Sequence, residues 1–282
     1  FGFFFLVLGA FFSVYNFLPH WINYLSSIVC FLIGTNSARI NERLVIKIGY
    51  FFFVFEFLSR FLLAFSGRGF LEIKENSLFY MDSNFVAINL LTFYLFIIGF
   101  SKINSRKSSF FKPNLHSVFV LVLMLGTLSK IGILIILLIN FTKRKQSLFL
   151  PFLCLLLSLL ALFMLGTFYL ALPGTYFLRG LALSSSFSDP SLLGYGINST
   201  IAVFGKYGHS GLAVLLSDVG VLGLSLFCWF LICLASIGRY QAYVVCFISI
   251  MFLSLISYSA HFTFWFLGYV SVNVMSKSGH RR

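Results

Sequence analysis

Charged side chains are scarce in this chain, and acidic ones are the scarcest. Only 10% of the 282 residues are charged, with 7 Asp and Glu against 20 Lys and Arg. Soluble domains carry roughly a quarter charged residues, so this composition excludes an ordinary soluble domain. Apolar side chains fill the gap, since 60% of the residues are hydrophobic and 20% are aromatic. The sequence therefore predicts a polytopic integral membrane protein.

The usual motifs of metal, redox and nucleotide chemistry are also missing. The five cysteines lie apart in apolar runs, with no Cys-x-x-Cys pair. Gly194-Tyr195-Gly196 does not follow a strand, so it does not meet the dinucleotide-binding pattern. No Asp-x-Asp pair and no phosphate-binding glycine loop occurs. We therefore expect no metal and no other cofactor.

Internal repeats, heptads and low-complexity linkers are absent as well, which favours one integral domain over residues 1–282. The chain opens on Phe1 inside an apolar run, with no basic segment before it. We expect that a native N-terminal piece precedes it.

The apolar runs predict an all-α fold with about ten transmembrane helices, because a spanning helix needs about 20 apolar residues, or fewer when it is short. The runs are 1–18, 21–34, 44–65, 84–100, 115–128, 131–141, 147–170, 211–237, 240–257 and 262–275. The stretch 115–141 could instead be one long tilted span. We favour two short helices that meet at Ser129-Lys130, because the basic loops on both sides then face the same way.

The net charge of +13 indicates membrane orientation and not nucleic-acid binding, because the basic residues fall in short loops between apolar runs. The loops around 39–43, 102–112, 143–145, 239 and 277–282 hold most of them and are predicted to be cytoplasmic. Most of the acids fall on the opposite side, in the loops around 72–82 and 189.

Polar chemistry gathers in residues 170–210, which we predict to be a long extracytoplasmic loop. Arg179 and Lys206, together with Lys130, could form a cationic site for phosphate or diphosphate. Gly194 and Gly196 permit the backbone to approach a ligand closely. Headgroup snorkelling is the alternative for the two lysines.

Three further groups carry candidate chemistry. His209 lies where the loop re-enters the membrane and could act as a general base. Asp218 lies deeper in the following helix, where a carboxylate needs a partner on a neighbouring helix or on Arg179, or serves catalysis. Glu56 and Arg60, at i and i+4, are either a self-satisfied pair or a transport element.

The run from His209 through Asp218 to Gly220 and Gly223 resembles the segment that marks bacterial O-antigen polymerases and O-antigen ligases. Arg179, followed by Asp-Pro and Leu-Leu-Gly-Tyr-Gly, resembles the family's arginine before a Pro-hydrophobic-hydrophobic-Gly-x-Gly. Thr127-Leu-Ser-Lys130 resembles its Ser-Arg signature, with lysine in the arginine position. Ser210 departs from the usual asparagine, and the chain is shorter than typical members.

The resemblance implies a GT-C-like, metal-independent glycosyltransferase of the bacterial cytoplasmic membrane. Its substrate would be a glycan on undecaprenyl diphosphate, and its partners would be membrane lipid and a chain-length regulator. By analogy Arg179 and His209 would be catalytic. The substrate-binding residues would be Lys206, Lys130, Gly194, Gly196 and Asp218.

Repeat-unit polymerisation is our first hypothesis, and ligation of glycan to a lipid acceptor is the alternative with the same chemistry. A lipid-linked oligosaccharide flippase or another transporter is the rival from a different class. A transporter should show inverted repeats and helices broken at Gly or Pro. The sequence shows no repeat and gathers its polar residues in one segment, which favours the transferase.

Overall fold

The structure is a computed structural model of the whole chain. It describes residues 18–37, 40–67, 83–104, 115–127, 129–141, 173–196, 210–251 and 261–279, and the single positions 156, 157, 160, 164, 168, 170, 171, 199 and 203. Within these residues it contains helices and no strand, which confirms the all-helical prediction. The predicted span 1–18 and most of 147–170 lie outside the described residues.

Nine helices are defined in the described part of the chain. They are α1 (Leu18–Asn36), α2 (Glu42–Phe65), α3 (Ser83–Asn104), α4 (Leu115–Gly126), α5 (Lys130–Phe141), α6 (Thr175–Ser188), α7 (Gly211–Ile237), α8 (Arg239–Met251) and α9 (His261–Gly279). Two of them, α2 and α7, are long and apolar enough to cross a membrane by length and composition.

The chain divides into two compact units. Unit 1 comprises Phe1–Thr35 and Arg144–Arg282, and unit 2 comprises Asn36–Lys143. The prediction of one integral domain stays a prediction.

In unit 2, α3 is the central helix. Every described side chain from Val86 to Ile98 is buried, and α2, α4 and α5 all pack against it. A helix with apolar side chains on every face is buried by its neighbours, because it has no polar face to expose to water.

The stretch 115–141 forms two helices, as predicted. α4 ends at Gly126 and α5 begins at Lys130. Gly132 of α5 packs beside Met124 of α4: a Cβ atom built on Gly132 would lie 2.7 Å from Met124 Sδ. A continuous helix would separate residues eight apart by about 12 Å along its axis, so the chain turns back here.

In unit 1, α7 packs against α6, α8 and α9. The first part of α7, from Gly211 to Gly220, is buried at every position, whereas the rest alternates between buried and exposed residues. The polar N-terminal end of α7 thus lies inside the protein, where its backbone groups need partners.

Helices α1 and α9 pack closely and run in the same direction. Gly34 lies against the Trp265 backbone and Gly268 against the Phe31 backbone, and neither contact leaves room for a Cβ atom. Nearer the start of both helices, Ser26 Oγ lies 2.6 Å from His261 Nε2. Small residues and polar pairs of this kind hold helices together in membranes.

Candidate functional site

The backbone of α7 breaks at Gly220. This residue has φ 72° and ψ −173°, whereas the residues on both sides are helical. That conformation is essentially restricted to glycine, because a Cβ atom would clash with the neighbouring backbone. A deformation of this size releases backbone groups that an intact helix would pair.

Residues 191–196 insert into the break and take up the released groups. An unbroken helix would join Val221 N to Ser217 O and Leu222 N to Asp218 O, four residues apart. Instead Tyr195 N donates to Ser217 O at 2.8 Å, and Gly196 N donates to Asp218 O at 3.1 Å.

The other two released groups, the amides beyond the break, are paired in the same way. Val221 N donates to Ser191 O at 3.0 Å, and Leu222 N donates to Leu192 O at 3.1 Å. Two helical hydrogen bonds are thus replaced by four bonds to the inserted segment. Buried backbone groups are rarely left unpaired, and this pairing makes the break tolerable.

Two glycines allow this close insertion. Gly194, with φ 83°, lies against the Asp218 carbonyl. A Cβ atom built on Gly194 would lie only 2.6 Å from Gly220 N. Gly220 in turn lies against Gly194 N and the Leu192 backbone. The close backbone approach that we expected Gly194 to make toward a ligand is made to the chain's own broken helix. A substrate-binding role for Gly194 and for Gly196 stays a prediction.

Asp218 lies two residues before the break and is fully buried. Ser199 Oγ donates to its Oδ1 at 3.3 Å and lies 2.5 Å from Ser217 Oγ. The carboxylate therefore has a hydroxyl partner from the segment before α7. The sequence predicted that Asp218 needs a polar partner, but it gave no reason to choose Ser199 or Ser217. Its part in substrate binding or catalysis stays a prediction.

The segment predicted as a loop is partly helical, because α6 occupies Thr175–Ser188. Arg179 therefore lies on a helix and not on a loop. The polar Ser184-Ser185-Ser186 run masked this helix in the sequence, but their hydroxyls bond to carbonyls one turn back in α6. Serine can satisfy itself in this way without leaving the helix. Since α6 packs against α7, the helix of Arg179 and the helix of Asp218 are neighbours.

Tyr195 ties the inserted segment to the end of α6. Its hydroxyl donates to the Asp189 carbonyl oxygen at 2.7 Å, and the side chain remains 41% exposed. Hydrogen bonding to Asp189, followed by desolvation and by the charge of that residue, raises the pKa of Tyr195 above its usual 10.0. The phenol therefore stays protonated, and remains a donor, throughout the neutral range.

The remaining predicted residues are only partly located. Lys206 and His209 lie outside the described residues. Ser210, next in sequence to His209, caps α7, and its Oγ accepts from Ala213 N at 3.4 Å. Lys130 begins α5 in unit 2. The predicted convergence of Lys130 with Arg179 and Lys206 stays a prediction.

The ligand sets that hold metal ions in proteins consist mainly of His, Cys, Asp and Glu side chains. No group of three or more His, Cys, Asp or Glu side chains there could hold a metal ion. The fold instead buries the Asp218 carboxylate beside the hydroxyls of Ser199 and Ser217. The close backbone contact between Gly194 and Gly220 lies next to it.

No protein-family model, no curated protein and no solved structure matches the chain.

Proposed function

We propose that the chain is a glycosyltransferase-type polymerase of the bacterial cytoplasmic membrane. It would join oligosaccharide repeat units carried on undecaprenyl diphosphate, at the outer face. The observation that carries the proposal is the insertion of residues 191–196 into the break at Gly220. It brings together parts of two of the three segments on which the resemblance rests, Leu-Leu-Gly-Tyr-Gly and Asp218-Val-Gly220.

Several features support a multi-pass arrangement. α2 exposes a stripe of large apolar residues at helical spacing, a surface suited to lipid. The stripe is Leu44, Ile48, Phe51, Phe55, Leu58, Leu62 and Phe65. α1 and α9 run in the same direction, as the second and tenth of ten alternating spans should. The turn between α4 and α5 fits the proposed two-helix crossing at Ser129-Lys130.

The proposed reaction needs an activated acceptor and a stabilised leaving group. The acceptor sugar hydroxyl attacks the anomeric carbon of the donor glycan, and its proton passes to His209. The bond between that carbon and the diphosphate oxygen breaks, and undecaprenyl diphosphate leaves. Arg179, with Lys206 and Lys130, would stabilise the negative charge that develops on the diphosphate.

Asp218 and the inserted backbone would act by fixing geometry. The Gly194 and Gly220 contact sets the spacing between residues 191–196 and the first part of α7. α7 begins two residues after His209 in sequence, so a rigid start to this helix would help to place that side chain. Catalytic groups need to be held within a fraction of an ångström of the productive geometry, which a loose loop does not achieve.

A transporter is the second candidate function, and a specific observation favours it. Broken helices are typical of transporters, where the freed backbone groups coordinate substrates or ions. The sequence showed no internal repeat and gathered its polar residues in one segment, which counted against a transporter, but α7 is broken at Gly220. The four released groups pair with the chain's own residues 191–196, and this pairing favours a structural role for the break.

The test uses cells that lack this gene, complemented with wild type, His209→Ala or Arg179→Ala at equal membrane expression. A gel of the surface glycan should show a ladder with wild type and single repeats with either variant. Lys47→Ala is the matched control, because Lys47 is an exposed cation on α2, outside the proposed site, and it should leave the ladder intact.

Other outcomes separate the rivals. Lipid-linked polymer that accumulates without transfer would identify a ligase. Repeats trapped on the cytoplasmic face would identify a flippase. A full ladder with both His209→Ala and Arg179→Ala would remove the catalytic assignment.

A further inference from the structure

The guanidinium group of Arg60 in unit 2 is only partly satisfied. Its Nε donates to Glu56 Oε1 at 3.0 Å, and the two residues are 3% and 1% exposed. Its Nη1 and Nη2 atoms are buried and have no hydrogen-bond partner. Charged donors buried without an acceptor destabilise a fold, so an acceptor from outside the chain is expected here.

Arg60 lines a small cavity between α2, α3 and α4. The cavity volume is about 10 Å³, which admits about one water molecule or one small ion. The lining is otherwise mostly apolar and includes Phe53, Phe57, Val86, Leu90 and Leu123. A phosphate group or a sugar is too large for this space.

The walls provide little that could satisfy Arg60. Thr127 lines the cavity, but its hydroxyl oxygen accepts from Ser129 N at 3.3 Å and does not bond to the guanidinium. Glu56 and Arg60 are the charged residues among those that line the cavity. Glu56 bonds to the guanidinium only through Nε, so the edge formed by Nη1 and Nη2 is left for another acceptor.

We propose that this cavity binds one monatomic anion, chloride in a cell, held by Nη1 and Nη2 of Arg60. The two N–H donors belong to a cation, and its Coulomb attraction to an anion is strong in the low dielectric of a buried site, so they favour an acceptor that carries a full negative charge. Glu56 fixes the orientation of the guanidinium through Nε. The site lies wholly in unit 2 and does not depend on the proposed function.

Thermal unfolding of the full chain in detergent tests the proposal, with sodium chloride compared with sodium gluconate at equal ionic strength. A ligand that binds only the folded state raises the unfolding midpoint. We expect chloride and bromide to raise the wild-type midpoint by about 2 to 4 °C over gluconate. Arg60→Gln should lose this difference. Arg43→Gln, which changes an exposed arginine of the same helix, should keep it.

Arg60→Gln also leaves Glu56 without its partner and could fold poorly, so wild type is measured directly. Radioactive chloride should be retained at about one ion per chain and displaced by bromide. An equal midpoint in chloride and gluconate, with no retained chloride, would show that water fills the cavity and would overturn the proposal. Stabilisation by phosphate and not by chloride would overturn it in favour of an oxyanion, either free or on a lipid headgroup. Chloride dependence that persists in Arg60→Gln would overturn the location.

Discussion

Helices α7 and α2 both carry polar groups inside apolar surroundings, and they handle them differently. α7 breaks at Gly220, and residues 191–196 pair with all four backbone groups of the two lost helical bonds. α2 keeps its helix intact and buries Glu56 and Arg60, but it leaves Nη1 and Nη2 of Arg60 unpaired. A break in a helix can thus leave fewer unsatisfied groups than an ion pair with the right spacing.

Gly220→Ala should have the largest effect. A Cβ atom here meets the Gly194 and Leu192 backbones, which cannot yield as a flexible side chain would. With the added strain at φ 72°, we expect a loss of about 3 to 5 kcal/mol in the free energy of unfolding. Size-exclusion chromatography and thermal unfolding in detergent would measure it.

Gly174→Ala is the matched control for Gly220→Ala. Gly174 has nearly the same φ, 71°, but nothing lies within 4 Å of its Cβ position. It should cost only the backbone strain, about 1 to 2 kcal/mol. Equal losses in the two variants would mean that the contact with residues 191–196 contributes nothing.

Glu56→Leu should have the next largest effect, about 3 kcal/mol or more, because it removes the carboxylate that pairs with Arg60 Nε inside the fold. The double variant Glu56→Leu/Arg60→Leu removes both charges and should recover most of the loss, or exceed wild type. Denaturation of the three proteins under one set of conditions gives the comparison. A double variant less stable than Glu56→Leu would show that the pair stabilises the fold.

Ser199→Ala should cost about 1 to 2 kcal/mol, because it removes the buried hydroxyl that donates to Asp218 and contacts Ser217. Ser186→Ala is its control, since that buried hydroxyl bonds only within α6, to the Ala182 carbonyl. Thermal unfolding should show a clear shift for Ser199→Ala and a smaller one for Ser186→Ala. Equal shifts would make the link to Asp218 dispensable.

Tyr195→Phe should have the smallest effect, because the phenol is partly exposed. Since the folded-state pKa is raised above 10.0, the contribution of its hydrogen bond is present below about pH 10 and is lost as the pH rises through the folded value. Wild type should therefore exceed Tyr195→Phe slightly in unfolding midpoint at pH 7, and the difference should disappear in strong alkali. A difference that is independent of pH would contradict this role.

Hydropathy predicted the positions of the long helices well. The predicted run 211–237 coincides with α7, 44–65 lies within α2, and the two short runs at 115–141 correspond to α4 and α5. These helices follow from apolar length and basic flanks, which are properties of local sequence. The membrane orientation of the runs stays a prediction.

The break in α7 and the helical state of Arg179 were not predicted. Hydropathy averages over a window, so a single glycine such as Gly220 inside an apolar run does not change it. A glycine two residues after a buried acid was the available signal, but glycine also serves helix packing in membranes. The partners of the break, residues 191–196, follow from tertiary contacts that no local pattern encodes.

The most direct test of the central claim is made with the purified chain in liposomes, supplied with undecaprenyl-diphosphate-linked repeat units. Wild type and His209→Ala are compared at equal amounts of folded protein. Wild type should give a ladder of lipid-linked polymer, and His209→Ala should give at most about a tenth of that product, because loss of the general base removes about 1.4 kcal/mol or more of transition-state stabilisation. Full polymer from His209→Ala, or none from well-folded wild type, would contradict the proposed function.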